Sequence, residues 1–505
     1  MMRSSLIQSL GLASLLSYGC SDADRIPNTP LTVLDAGRLD IDVPGVDVPY
    51  DRMPVARDVR ETSVVDVYQT PDACVPEPCD GVLVNERRSG NRTLCVRFSE
   101  TAMSVGLGST NRFQQVRVLD DNRDERPDLL LVRGYSKPSL FRNNGTGLFS
   151  EVTASVGLAD APASEGVAIG DFNGDTLQDI YFYGVKNESR WIDPGVGGVL
   201  YQGTTTGFVR VENVLTPVDQ SLQSYTAVFV SGMILFGTEQ GLRAYQYESG
   251  SWHEANALWN ISDRAGEAYG FATARIDGRQ HIYVANPTGA NRHFVLNPTL
   301  NLYERQEDSL GTRASGASVA AAWVTLNSGD TPSLLVGNYE GFNYVFSRDR
   351  LMPDGGIGLH FTDQARELNL RDPGGTSAIV ATDTVSDAHP ALFIARAQYP
   401  SAPRVYPNLF YLPILGADGR VSYYRDIATS LGLAGLTRGM TPYYPHTYSA
   451  ASADLDHDGK EDLILVHADT SSSSVTTGGI RVFHNETRWV RRCDETVVGD
   501  AGVRD

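Results

Sequence analysis

One ten-residue pattern recurs along this chain: an aromatic residue, a polar or acidic run, then Gly-Leu or a relative. It is clearest as FSETAMSVGL from residue 98, FSEVTASVGL from 149 and YRDIATSLGL from 424. WHEANALWNI from 252, YERQEDSLGT from 303 and FTDQARELNL from 361 are weaker copies, and FVRVENVLTP from 208 keeps only the aromatic. Copies stand about 45 to 65 residues apart, the period of a propeller blade rather than of a helical repeat.

Short strands fill each period. In the second, GVAIGDF, DIYFYGV, GGVLYQG and GFVRVEN read as four successive strands, with β-branched and aromatic residues in alternation. No long amphipathic helix is evident. The expected fold is all-β: a seven-bladed β-propeller with four-stranded blades, with six or eight blades left open by the uneven copies. The first marker strand, CVRFSET, has no inner strands of its own. It is expected to close the ring by joining GIRVFHN in the last blade, which removes the edges that an open array would keep.

Three loops carry acidic residues at i, i+2, i+4 and i+8, each between two apolar strands. They are Asp120, Asn122, Asp124 and Asp128; Asp171, Asn173, Asp175 and Asp179; and Asp454, Asp456, Asp458 and Asp462. Alternate side chains on a tight curl can converge on one hard cation, and Ca²⁺ takes six to eight oxygens. The i+6 carbonyl, from Arg126, Leu177 or Lys460, is a further candidate ligand. A plain Asp/Asn/Gly turn is the bland alternative, but three copies at one place in a repeat favour about three Ca²⁺ sites. The other periods have lost the pattern. They keep Asp277 alone, Asn327 and Asp330 out of register, or Asp383 and Asp387 followed by Ala391.

The acidic loops, the strand after them, LFRNNGTGLF and the marker FSEVTASVGL together resemble the FG-GAP/VCBS repeat family, the integrin-α-type propeller repeats also found in cartilage acidic proteins. The resemblance spans roughly residues 95 to 490. It implies a calcium-loaded extracellular propeller used for adhesion or ligand binding, here without the extra C-terminal module of the cartilage acidic group.

The chain opens with MMRSSLIQSLGLASLLSYGC, an export signal whose apolar core is too short to span a bilayer. It ends at Cys20, the expected lipidation site of a bacterial lipoprotein, although Leu16 stands one place early for the usual motif. A plain secretory signal is the alternative, so the chain is expected at the cell surface or outer membrane, otherwise periplasmic or secreted. Residues 21–92, rich in Asp, Pro and Val, read as a disordered acidic tether, and 93–505 as the propeller. Cys74, Cys79, Cys95 and Cys493 then suggest disulfides, with three pairings possible. CVPEPC would join Cys74 to Cys79, leaving Cys95 for Cys493 where the ends meet.

With 61 acidic against 42 basic residues, the net charge is −19, which disfavours nucleic acid and anionic membrane as partners. Membrane attachment is expected only through the N-terminal lipid, and nothing points to an oligomer. No HExxH, GxSxG, Walker or Rossmann pattern occurs. Tyr443, Tyr444, His446 and Tyr448 cluster before an inner strand and form a possible ligand face at the channel mouth. The leading expectation is a binding or adhesion module for an extracellular protein or carbohydrate. The alternative is an exported propeller enzyme, a polysaccharide lyase or hydrolase.

Overall fold

The computed structural model describes residues 76–492, apart from 108–112, 135, 187–194, 217, 263–265, 350–358, 386–387, 398–405, 439–440, 444–445 and 469–478. Among these residues the chain is all-β, with one 3₁₀ turn at Asp219–Ser221 and no α-helix. Seven four-stranded antiparallel sheets carry nearly all of it. Sheets one to six span residues 115–151, 164–211, 224–254, 270–305, 317–363 and 376–426, each hydrogen-bonded in chain order. Sheet seven comprises His446–Ala453, Asp462–Ala468 and Gly479–Asn485, and takes Phe98–Glu100 as its fourth strand. Phe98 stands opposite Asn485 and Glu100 opposite Phe483, the pairing expected of CVRFSET with GIRVFHN.

The recurring marker has a physical role in every sheet. Its aromatic lies on the fourth strand, as Phe98, Phe149, Phe208, Trp252, Tyr303, Phe361 and Tyr424. Each marker also holds one left-handed residue: Gly106, Gly157, Asn213, Asn260, Gly311, Asn369 and Gly432. Glycine and asparagine tolerate that conformation best, which accounts for the Gly-Leu ending and its Asn substitutes. At five junctions a carbonyl of this turn accepts the N–H of the next marker's aromatic. Val105 accepts from Phe149 at 2.9 Å, Val156 from Phe208 at 2.7 Å and Trp259 from Tyr303 at 3.0 Å. Leu310 accepts from Phe361 at 2.8 Å and Leu368 from Tyr424 at 2.9 Å. The marker thus ties five of the sheets to their neighbours.

The apolar core is divided in the same way. Seven clusters of buried side chains lie one at each junction between sheets, and the one between sheets five and six also reaches Tyr225 and Tyr269 at the starts of sheets three and four. Leu130, Val132, Val167 and Phe182 join sheets one and two. Val116, Leu129, Ile464 and Val466 join sheets seven and one. First strands pack against first strands throughout, and His446–Ala453 touches both Thr376–Thr382 and Gln115–Leu119.

Two expectations at the N-terminal side are corrected. The tether expected through residue 92 ends earlier, because Val82–Ser89 is a strand paired with Arg92–Val96 through a turn at Gly90. Arg488–Arg491 adds a third strand, with Cys95 opposite Arg488. The disulfide joins Cys79 to Cys95, with 5.8 Å between Cα atoms, not Cys74 to Cys79 or Cys95 to Cys493. The hairpin explains the difference: Leu83 pairs with Cys95, so the residues just before the first strand lie beside it. Cys20, Cys74 and Cys493 lie outside the described residues.

Candidate metal centres

Each of the three acidic loops joins the first two strands of its sheet, in sheets one, two and seven. All three adopt one backbone curl. The i+3 residue (Arg123, Gly174, His457) and the i+5 residue (Glu125, Thr176, Gly459) are left-handed. Only two of these six are glycine. For a β-branched residue such as Thr176, at φ 67°, that conformation costs about 1 kcal/mol or more and persists where the surroundings impose it.

The side chains impose it through one shared network. The i carboxylate accepts the i+5 N–H at 2.9 Å in all three loops. The i+2 oxygen accepts the i+4 N–H at 3.3, 3.1 and 3.3 Å. The i+4 carboxylate accepts the i+6 N–H at 3.0, 2.8 and 2.9 Å. These bonds turn the i, i+2 and i+4 oxygens into the concave side of the curl. In the last loop one oxygen each from Asp454, Asp456 and Asp458 lies within 4.8 Å of the others. Oxygens around one Ca²⁺ at about 2.3–2.6 Å have such spacings.

The i+8 aspartates do something different. Asp128, Asp179 and Asp462 open the second strands and are buried. One oxygen of each accepts the i+1 N–H, from Asp121 at 2.9 Å, Phe172 at 2.8 Å and Leu455 at 3.3 Å. The other accepts an N–H of the third strand, from Asn143, Gly203 and Asn485, at 2.8 Å each. The residue read as the last ligand is therefore also a clamp across three strands. Burial pushes its carboxyl up, to about 8 at Asp128, where Asp121 adds to the effect, and to about 6 at Asp179 and Asp462. A buried carboxylate beside three further acceptors is costly without a positive partner. The donor set, all oxygen and largely anionic, fits a hard divalent cation.

The three loops are also linked to one another. Gln178 accepts the Asp120 N–H at 2.8 Å, and Arg123 donates to Thr176 at 3.3 Å, joining the first two. Asn143 donates to the Leu455 carbonyl at 2.7 Å, joining the last to the first sheet.

The lost copies have other solutions. Ser231-Gly232 and Asp277-Gly278 are two-residue turns with both residues left-handed. Asp330 pairs with Arg420, and Asp277 with Arg348 at 3.2 Å, so a guanidinium stands beside these two leftover carboxylates. Ala391 sits where the clamp aspartate would be, opposite Thr382, and Asp387 lies outside the described residues.

For the possible ligand face, Tyr443 falls in the short strand Thr441–Tyr443 and His446 opens His446–Ala453, while Tyr444 lies outside the described residues. Tyr448 is half-buried against a cluster holding Tyr225, Tyr269 and Tyr339. Tyr225 and Tyr269 stack at 4.3 Å between centroids. Their positions near the starts of two first strands are visible in the sequence, but their meeting depends on how sheets pack.

Six meanders of four strands and a seventh four-stranded sheet completed by Phe98–Glu100, with acidic residues in three hairpin loops, define an all-β repeat protein of the propeller type. Residues 120–182 match the family model of the FG-GAP-like repeat. No curated protein matches the sequence. Among solved structures, a chain in the crystal structure of BBS1N in complex with ARL6DN, soaked with lead, is 12% identical with a TM-score of 0.41, covering 75% of this chain and 93% of that one. The same complex soaked with mercury gives the same figures.

Proposed function

We propose that this chain is an exported, lipid-anchored β-propeller of seven closed blades, stabilised by calcium in three loops, that serves as a binding or adhesion module outside the cell. A row of seven sheets has six junctions; a ring has seven, and seven apolar clusters are present here. That observation supports closure. The calcium reading rests on one backbone curl and one hydrogen-bond network repeated in three loops of differing sequence. Export, lipid on Cys20 and the acidic tether rest on the N-terminal sequence.

The module reading is tested with the purified full chain. With calcium as the sole divalent ion supplied, elemental analysis is expected to find three ions bound, and strong chelator to lower the melting temperature, because an ion bound only by the folded state stabilises it. Arrays of glycans and matrix polypeptides, probed with calcium and with chelator, are expected to show calcium-dependent capture. A chain without metal, with a melt indifferent to chelator and no capture, would refute the proposal.

A further inference from the structure

The three cages differ at one point. The third-strand residue just before the one clamped by the i+8 aspartate projects toward the loop in each. In sheet one it is Arg142, whose guanidinium pairs with Asp121, the Nε bond being 3.0 Å. In sheet two it is Gln202, whose amide donates to Asp175 at 3.4 Å. In sheet seven it is His484, whose Nδ1 lies 3.1 Å from an Asp462 oxygen and 3.6 Å from an Asp456 oxygen. A guanidinium or an amide nitrogen cannot ligate a cation, but a neutral imidazole can.

The result is a second group of donors beside the first. Oxygens of Asp456 and Asp462 and a ring nitrogen of His484 all lie within 4.8 Å of one another, and Asp456 is shared with the Asp454/Asp456/Asp458 group. Asp462 is nearly fully buried and held by two backbone N–H groups, so this side of the group is rigid. His484 is held by its strand, since Asn485 is one of those donors. With its proton on Nε2, the imidazole turns the Nδ1 lone pair toward both carboxylates.

We propose that Asp456, Asp462 and His484 form a mixed nitrogen–oxygen site that takes a divalent transition ion in preference to calcium. The proposal rests on the reading of the loops as cation cages. Calcium seeks oxygen alone, whereas imidazole nitrogen suits the zinc, nickel and cobalt range. Three protein donors leave positions for water, as in an open site. The loops at 120 and 171 lack the nitrogen and remain calcium cages, so the three sites are not equivalent.

The test uses the full chain, stripped with chelator, reloaded with Co²⁺ and passed through a large excess of Ca²⁺. Wild type is expected to keep one Co²⁺ and to show one hyperfine-shifted imidazole proton resonance. His484→Gln, which places there the residue found in the second loop, should lose both and bind calcium in all three loops. Gln202→His should gain a second calcium-resistant Co²⁺. Calcium sweeping all Co²⁺ from wild type, or His484→Gln retaining it, overturns the proposal. Calcium bound in all three loops with no resistant Co²⁺ overturns this inference alone; neither ion bound overturns the cage reading with it.

Discussion

Acidification should destabilise this protein through a pair of histidines inside sheet four. His281 and His293 are fully buried, and His281 Nδ1 lies 3.0 Å from His293 Nε2. His293 Nδ1 lies 2.9 Å from the Thr312 hydroxyl, and His281 Nε2 has no hydrogen-bond partner among the described residues. Trp323 packs on both rings. Burial pushes His281 down to about 4, helped by Arg279, and holds His293 well below the ordinary histidine range, where His281 adds to the effect.

The sign follows from where the protons go. Above about pH 7.5 both rings are essentially neutral in either state, and the pair adds no pH dependence. As pH falls from there toward the folded value, the unfolded chain takes up protons that the fold refuses, so stability is lost. At about pH 5 an unfolded histidine is almost fully charged, and excluding that proton costs about 2 kcal/mol per ring, about 4 for the pair. That is a large part of the 5–15 kcal/mol or so that holds a typical domain together. Urea unfolding followed by circular dichroism, with calcium present, should show it. The double variant His281→Gln/His293→Gln is expected to be less stable than wild type at pH 7.5, and the gap should narrow by about 4 kcal/mol at pH 5. Native Trp323 fluorescence should not change over that range. Parallel stability curves, or native-state quenching of Trp323 near pH 6, would refute the reasoning.

Other outcomes follow from the loops, the hairpin and the last sheet. Asp179→Ala orphans the buried N–H groups of Phe172 and Gly203. It should cost roughly 1–3 kcal/mol by urea unfolding even in chelator, whereas exposed Asp175→Ala should matter only in calcium. Peptide mapping without reduction should recover Cys79 linked to Cys95, and Cys79→Ser should cost about 3 kcal/mol for the loop that the bridge closes. Phe98→Ala, which removes a ring packed edge-on against Phe410 at 5.4 Å, should cost about 3 kcal/mol and lower amide protection in Gly479–Asn485 before other third strands.

Much of this architecture was readable in the sequence because its signals are local. The marker carries its own aromatic, left-handed residue and turn bonds within ten residues, and all seven copies fall on fourth strands. The acidic loops were readable for the same reason: a curl closed by its own side chains needs no distant partner. What was missed is non-local. The hairpin at Val82–Ser89 is short, sits inside an acidic Pro-rich composition and is fixed by the distant strand Arg488–Arg491. Its Cys79–Cys95 bridge depends on that register. The clamp role of Asp128, Asp179 and Asp462 depends on N–H groups from a third strand. His484 looks like any strand residue until the register sets it against Asp462. Within GGVLYQG, Gln202 gives no hint either, since only the alignment of three sheets makes the comparison.

The placement of the acidic loops has a mechanical logic. Sheet seven takes its fourth strand from Phe98–Glu100 and its third from Gly479–Asn485, separated by most of the chain. Bringing such distant ends together costs about 5 kcal/mol of loop entropy, and the strand that does it is only three residues long. Every other sheet is a meander that closes locally. The seam is therefore where extra fastening has most effect. The loops that kept their acidic residues are those of sheet seven and of sheets one and two beyond it. They are joined across the junctions by Asn143 to Leu455 and by Gln178 to Asp120. The three-stranded sheet adds a second splice, pairing Arg92–Val96 with Arg488–Arg491. A cation in each loop would fix the curl to which these cross-links attach, so metal binding and the pairing of the chain ends should rise and fall together. Sheets three to five, which hold no such seam, have relaxed their loops to tight turns or to carboxylates paired with arginine, and sheet six has Ala391 in place of the clamp aspartate, without the same penalty.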